Sequence, residues 1–251
     1  VPKTVSVEAT EFSYLAFNTY KEELSDPNVR VAMNLAIDKE TLAETLYSGY
    51  ARPNEAQQTS SNGLGFNADI EPFPYDPDTA RQLLADAGYP DGFSVTLNVP
   101  IGRYLYGEET AQYVAQQLGD IGLDVEIVSW EWNEYRSAGR VPGTENGAFD
   151  LKYGWNSNEW FDAARVGSHV TCGGGSSKIC IPAVDEYYEI GATSLDQEVR
   201  DEAYQAAWAA LRVSPHAIYL LQQDLLYGMS EDLQWEPRLD DEYFVSEMTL
   251  G

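Results

Sequence analysis

The 251-residue chain contains no run of eighteen or more apolar residues, so no segment is long enough to cross a bilayer as a helix with its backbone satisfied. Positive charge is scarce. Fifteen Lys and Arg stand against 41 Asp and Glu, a formal net charge of −26, so nucleic acid would be repelled and is excluded as a partner. The longest unbroken acidic run is Asp240-Asp241-Glu242, which describes a dispersed acidic surface and not an acidic tail. Such a surface suits solvation in a salty medium, the alternative being attraction of cations or basic ligands. The opening "VPKTVSVEAT" lacks the basic and apolar regions of a signal peptide, as expected of a processed chain or a piece of a longer one.

Histidine and cysteine are equally sparse. His169 and His216 with Cys172 and Cys180 do not complete the four ligands a structural zinc needs, so no metal site and no cofactor is expected. The two cysteines bracket a Gly- and Ser-rich loop, "TCGGGSSKIC", which suits a local disulfide in an oxidising compartment; a pair of free thiols is the other reading. No Gly-x-Ser-x-Gly elbow, phosphate-cradling Gly-rich loop or His-Glu-x-x-His pair occurs. His216 follows Ser214-Pro215 and precedes an apolar run, a structural setting. No catalytic residue is assigned. Two of the 41 carboxylates could in principle serve a glycosidase, but nothing singles out an acid and a base.

What is present is an alternation of helix and strand. "DPNVRVAMNLAIDKETLAETLYSG" sets Val29, Met33, Ala36 and Ile37 on one helical face and starts a second helix at Asp38, which Gly49 stops. A long irregular crossing rich in Pro, Gly, Asn and Ser follows, of the kind that is usually functional or flexible. In "DPDTARQLLADAG" Asp76 caps a helix, Pro77 takes its first position and Gly88 closes it. "FSVTLNV" then alternates as a half-buried strand. The helix-to-strand unit recurs in "EETAQYVAQQLGDIG" and "LDVEIVSW", which predicts an α/β layered domain. Further on, "AFDLKYGW" reads as a strand. Helices follow over "PAVDEYYEIGA" and "DQEVRDEAYQAAWAALRV", the second with Val199, Ala203, Ala207 and Ala210 inward; "AIYLLQQ" is a short strand, and the tail is irregular.

Aromatic residues concentrate in irregular, polar stretches. Of Trp130 and Trp132, alternating along a strand, one should pack and the other be exposed. Trp155 and Trp160 in "GWNSNEWF" suit either a core or the wall of a pocket for a polar ligand, and composition does not separate the two. Arg136 and Arg140 could each meet a ligand carboxylate bidentately, or only a surface acid.

The ordered series "YLAFNT", "DPNVRVAMNLAIDKETLAETLYSGYARP", "YDPDTARQLLADAGYPDGFSVTL", "IGRYLYGEETAQYVAQQLGDIGLDVEIVSWEWNEY", "FDLKYGWNSNEWFD" and "AVDEYYEIGATSLDQEVRDEAYQAAWAAL" resembles the family 5 extracellular solute-binding proteins of ABC transporters, the binders of peptides, nickel and oligosaccharides. The resemblance runs from about residue 12 to residue 223, and "VRVAMNLAIDKE" and "YDPDTARQLLADAGYPDGF" are its most specific pieces. It implies the C-terminal lobe of a periplasmic-binding-protein-like fold (type II, cluster C), a mixed sheet flanked by helices, from a monomeric two-lobed protein about twice as long. Residues 1–223 would be that ligand-binding lobe and 224–251 a return segment packing on the other lobe. The implied role is non-enzymatic: outside the cytoplasm, periplasmic or cell-surface associated, it would deliver a small solute to the transporter's permease. A dipeptide or oligopeptide leads, with an oligosaccharide or nickel complex as the other ligands; an extracellular acidic glycoside hydrolase is the alternative function.

The resemblance also assigns residues. It sets Trp155, Asn156, Asn158, Trp160 and Asp162 on the ligand cleft, with Asp162 nearest to an aspartate that takes the ligand ammonium in some peptide binders. That aspartate often precedes Pro, whereas Ala163 follows here. Arg140 lies nearest to an arginine that holds the ligand carboxylate in some members, and the Cys172 to Cys180 loop is similar to a disulfide loop in some dipeptide binders.

Overall fold

The computed structural model describes residues 2–139 and 149–251. The chain opens on a long strand, β1 (Lys3–Phe17), followed by α1 (Glu22–Ser25), α2 (Pro27–Leu35), α3 (Lys39–Tyr47) and β2 (Ala51–Pro53). After the crossing come α4 (Pro77–Asp86), β3 (Ser94–Pro100), α5 (Gly107–Asp120), β4 (Asp124–Trp130), α6 (Trp132–Gly139) and β5 (Leu151–Ser157). Next are α7 (Gly167–Val170), α8 (Pro182–Thr193), α9 (Gln197–Val213) and β6 (Ala217–Met229), then the short pair β7 (Leu233–Gln234) and β8 (Thr249–Leu250). Six strands form one mixed sheet in the order β2-β6-β1-β5-β3-β4. β1 is antiparallel to β5 and β6, while β3 is parallel to β4 and β5, so the α/β class read from the alternation is observed.

Local chemistry explains the helix starts. Asp26, Asp38, Asp76 and Asp196 each accept a backbone N–H of the helix they precede, and Pro27 and Pro77 sit in first turns where no N–H is needed. The two helix–strand units meet at a glycine contact. Gly92 has φ +72°, and a Cβ there would stand 1.8 Å from the Gly122 carbonyl oxygen, so only glycine lets these turns touch.

Four expectations change in the folded chain. The crossing from Pro53 to Asp76 is packed rather than loose: Asn54, Gln57, Gln58, Thr59 and Ser60 are buried, and Gln57 exchanges hydrogen bonds with the backbone of Asn67. β3 alternates only at its start, because Asn98 and Pro100 are buried along with Leu97 and Val99; Tyr135 of α6 and Trp130 cover the second face, bonding Asn98. In α9 the inward stripe is Ala203, Tyr204, Ala207, Trp208 and Leu211, and Val199 is 42% exposed in the first turn. The strand at 217 continues past Gln223 to Met229, since Asp224 to Met229 pair with Glu8 to Lys3, so the 223/224 boundary falls inside β6. Beyond it is a small unit whose Trp235 and Tyr243 pack ring to ring with each other and with Tyr227 of β6.

Cys172 and Cys180 are joined as a disulfide, with Cα atoms 4.3 Å apart. The loop they close is tied to the end of β1, where Thr19 donates its N–H and hydroxyl to the Lys178 carbonyl at 3.0 and 2.9 Å. Breaking so short a loop should cost about 2–3 kcal/mol of stability, chiefly by releasing the unfolded chain. Denaturant unfolding of the Cys172→Ser, Cys180→Ser protein measures this, and the intact mass should rise by two hydrogens on reduction of the parent; alkylation of both thiols without reductant would contradict the bridge.

His216 is buried with its Nδ1 2.9 Å from the Tyr219 hydroxyl, and burial holds its pKa down at about 3. It is neutral and faces aromatic rings, a packed histidine.

Candidate functional site

A split in the sheet creates the site. β3 pairs with β5 only through Leu97 to Leu151 and Asn98 to Lys152, so beyond that point β5 has lost its neighbour on this side. Two elements close over the exposed edge. The Tyr135 hydroxyl donates its proton to the Tyr153 carbonyl oxygen, with the Asn98 carbonyl as the other acceptor within reach at 3.2 Å, and the loop 101–106 between β3 and α5 lies beside them. Between loop, α6 and β5 lies a cleft of about 410 Å³, lined by Glu11, Arg103, Tyr104, Trp132, Trp155 and Ser157, with Leu105 at its border. A second recess of about 170 Å³ shares Tyr104, Trp132 and Trp155 and reaches Arg136 and Lys152.

The wall is aromatic and ordered. Trp155 stacks on Tyr104 with centroids 5.6 Å apart and planes at 15°, and Tyr104 meets Trp132 edge-on at 6.1 Å. The Trp155 indole N–H donates to the Glu11 carboxylate at 2.8 Å, across the β1–β5 pair. Burial pushes the Glu11 carboxyl above the usual range, with the Trp155 hydrogen bond and the Arg103 charge opposing the shift. Arg103 carries its guanidinium 4.9 Å from the Trp132 ring and 5.3 Å from the Tyr104 ring. It has no hydrogen bond or ion pair to any described residue. Arg136 lies 5.8 Å from the same Trp132 ring. An acidic molecule thus presents here one carboxylate, three cations (Arg103, Arg136 and Lys152) and flat apolar faces.

Strand alternation divides the sequence-predicted residues. Trp155 and Ser157 point into the cleft; Asn156, between them, points to the other face, opposite Phe12, where it is buried and its Nδ2 has no partner among the described residues. Asn158 is buried too, donating to the Gln58 carbonyl at 3.0 Å, so its amide ties β5 to the packed crossing. Trp160 is 64% exposed beyond the strand, 5.5 Å from the Arg165 guanidinium. Asp162 accepts from the Ala164 N–H at 2.9 Å and pairs with Arg200 at 2.5 Å, which uses both its oxygens internally. Arg140 lies outside the described residues. Of Trp130 and Trp132 neither is fully exposed: Trp130 donates to Asn98 at 2.9 Å and Trp132 forms the cleft wall.

Sequence reasoning passed over Glu11, Arg103 and Tyr104. One signal was available: "IGRYLYG" joins a strand to a helix yet carries three large apolar or aromatic residues that stay exposed, Ile101 at 55%, Leu105 at 59% and Tyr106 at 41%. Glu11 gives none, since a single acid in a strand of an acidic chain is unremarkable. Gly154 supports the site from beneath, because the Tyr14 ring covers it and a Cβ there would stand 2.4 Å from the ring. Among the described residues no group of three or more His, Cys, Asp or Glu could hold a metal ion.

Comparison with known proteins bears on this geometry. A family model described as "Bacterial extracellular solute-binding proteins, family 5 Middle" matches residues 2–177. The glutathione-binding protein GsiB of Pectobacterium atrosepticum is 32% identical over 146 residues, covering 58% of this chain and 28% of that protein. Heme-binding protein A of Haemophilus influenzae is 32% identical over 154 residues, covering 58% and 26%. Among solved structures, HbpA2 of Haemophilus parasuis superposes with a TM-score of 0.86 at 20% identity, over 100% of this chain and 50% of that one. The oligopeptide-binding protein AppA of Bacillus subtilis, in complex with a nonapeptide, gives 0.80 at 20% identity, over 100% and 52%. The chain therefore spans about half the length of the solved structures it matches, and its matched segment covers little more than a quarter of the curated relatives.

Proposed function

The chain belongs to the bacterial extracellular solute-binding proteins of family 5, and from that premise we propose that it is the ligand-seating half of an ABC importer's binding protein and that the cleft at Trp155 takes a short peptide. The observation that carries this reading is the chemistry of one cleft: Arg103, a cation with no hydrogen bond or ion pair among the described residues, and Glu11, held by Trp155, beside an aromatic wall. A zwitterion fits such a site, with its carboxylate on the Arg103 guanidinium, its ammonium on Glu11, and the peptide plane against Trp155 and Tyr104. The longer protein would close a second surface over the cleft, release the solute to a membrane permease and work as a monomer outside the cytoplasm. The relatives named for glutathione and peptide support that ligand class, and the one named for heme keeps other solutes in the test. A glycosidase needs two carboxylates, and among the described residues lining the cleft Glu11 is the one acid.

Tryptophan fluorescence of the full-length protein, titrated with peptides, an oligosaccharide and a nickel complex, tests the reading. Quenching by a peptide, lost in Trp155→Ala, is expected. Affinity should also fall as pH drops through the raised Glu11 pKa, because protonation removes the partner of the ligand ammonium, and the fall should begin at higher pH than an ordinary glutamate would set. A protein silent to all three ligands would refute it.

A further inference from the structure

Beside the cleft, across Leu105, lies a second pocket of about 220 Å³ that none of the comparisons addresses. We propose that this pocket, between the end of α3, β6 and the loop 101–106, is a subsite for an apolar ring that carries a hydrogen-bond acceptor.

Three observations carry it. The lining is chiefly apolar and partly open: Tyr50 is 41% exposed, Tyr106 41%, Leu105 59% and Leu226 49%, a concentration of large apolar side chains around one hollow. The hollow is built and held. Tyr47, buried at the back, packs edge-on against Tyr106 at 5.4 Å and donates its hydroxyl to the Leu105 carbonyl at 3.2 Å, while Tyr106 is held at φ 52°, a left-handed conformation uncommon for an aromatic residue. The third observation is a donor without a use. Gln223 lines the pocket, is only 4% exposed, and its Nε2 has no hydrogen-bond partner among the described residues. Buried donors are almost always paired, and a turn of this amide toward the pocket would pair it with a ligand oxygen. Its neighbour Asp224 is already engaged, accepting from the Ser6 hydroxyl at 2.6 Å, which leaves Gln223 as the group that reads the guest.

The volume decides what enters. Sites for whole ligands usually exceed about 300 Å³, so this one takes part of a molecule. Leu105 borders both the cleft and the pocket, so a solute anchored on Arg103 can place one ring over that ridge. The link to a cleft ligand rests on the function proposed above; the pocket's own preference does not.

Acetophenone, a ring with a carbonyl acceptor, and toluene, the ring without one, are suitable probes on the full-length protein, followed by NMR at the Gln223 side-chain amide. Acetophenone should shift that amide and bind about five- to tenfold more tightly than toluene, the margin of one hydrogen bond to a buried donor. Gln223→Leu should erase the preference while toluene still binds, and Leu226→Trp, which fills the mouth, should exclude both probes. An unmoved Gln223 amide with acetophenone at millimolar concentration, or a preference unchanged in Gln223→Leu, overturns the proposal. Failure of the solute-binding reading would show separately, as a parent protein whose Trp155 emission answers to no peptide.

Discussion

Arg103→Ala in the full-length protein should weaken binding of a peptide with a free C-terminal carboxylate by about 30- to 100-fold, the range expected when a charge-assisted contact is truncated in a cleft closed over its ligand; Arg103 is exposed in this half alone. The size of the effect follows from the setting. Arg103 is held over the Trp132 and Tyr104 rings, so its guanidinium is oriented before the ligand arrives and little rotamer freedom is lost on binding. Among the described residues it forms no hydrogen bond or ion pair, Glu11 acting on it only across the cleft, so the ligand's carboxylate meets a cation with free donors. Arg103→Lys should recover only part of the loss, because an ammonium keeps the charge and not the planar two-point geometry. A peptide amidated at its C-terminus should lose most of its sensitivity to the substitution. Calorimetric titration of the parent and both variants measures this; equal affinities of all three for the free-acid peptide would remove Arg103 from the site.

Trp208→Ala should destabilise the fold by about 3–5 kcal/mol, the cost of a cavity left by a large fully buried ring. Trp208 lies on the inner face of α9 at 0% exposure, its ring 6.5 Å from His216, and no small rearrangement could fill its space. Its indole nitrogen has no hydrogen-bond partner among the described residues, so Trp208→Phe keeps most of the packing and removes an unsatisfied donor, and it should cost far less. Urea denaturation of the two variants separates the ring's contribution from that of the N–H. A loss below about 1 kcal/mol for Trp208→Ala would mean that α9 does not seal the core as described.

These two residues also show where sequence reading reached and where it stopped. The alternation of helix and strand, the aspartate caps at 38, 76 and 196 and the glycine stops were all legible, because each depends on neighbours within one turn. The α9 stripe was legible as a helix face but misplaced by part of a turn. Val199 looks apolar and Trp208 sits beyond the small residues that draw the eye, while burial depends on how far the helix overlaps the sheet, which its own sequence does not encode. Of the cleft lining, one residue was legible. Trp155 was picked out by its place at a strand end, yet Asn156 beside it faces the opposite side, and Asn158 and Asp162 serve internal contacts with residues about 100 and 38 positions away. Arg103 and Glu11 stand far from Trp155 in the chain and met it only when β1, β5 and the loop after β3 came together.

From its sequence alone the protein's class, its acidic character, the order of its elements and its kinship with solute binders could be established, because periodicity, capping and charge are properties of short stretches or simple sums. The tertiary structure alone decided which side of β5 faces the cleft, that β3 leaves β5 after two residue pairs, and that a carboxylate and a cation share the cleft so opened. The physical reason is that a strand turns successive side chains to opposite faces, so one step of register separates a buried amide from a binding wall, and register is fixed only by the strands on either side.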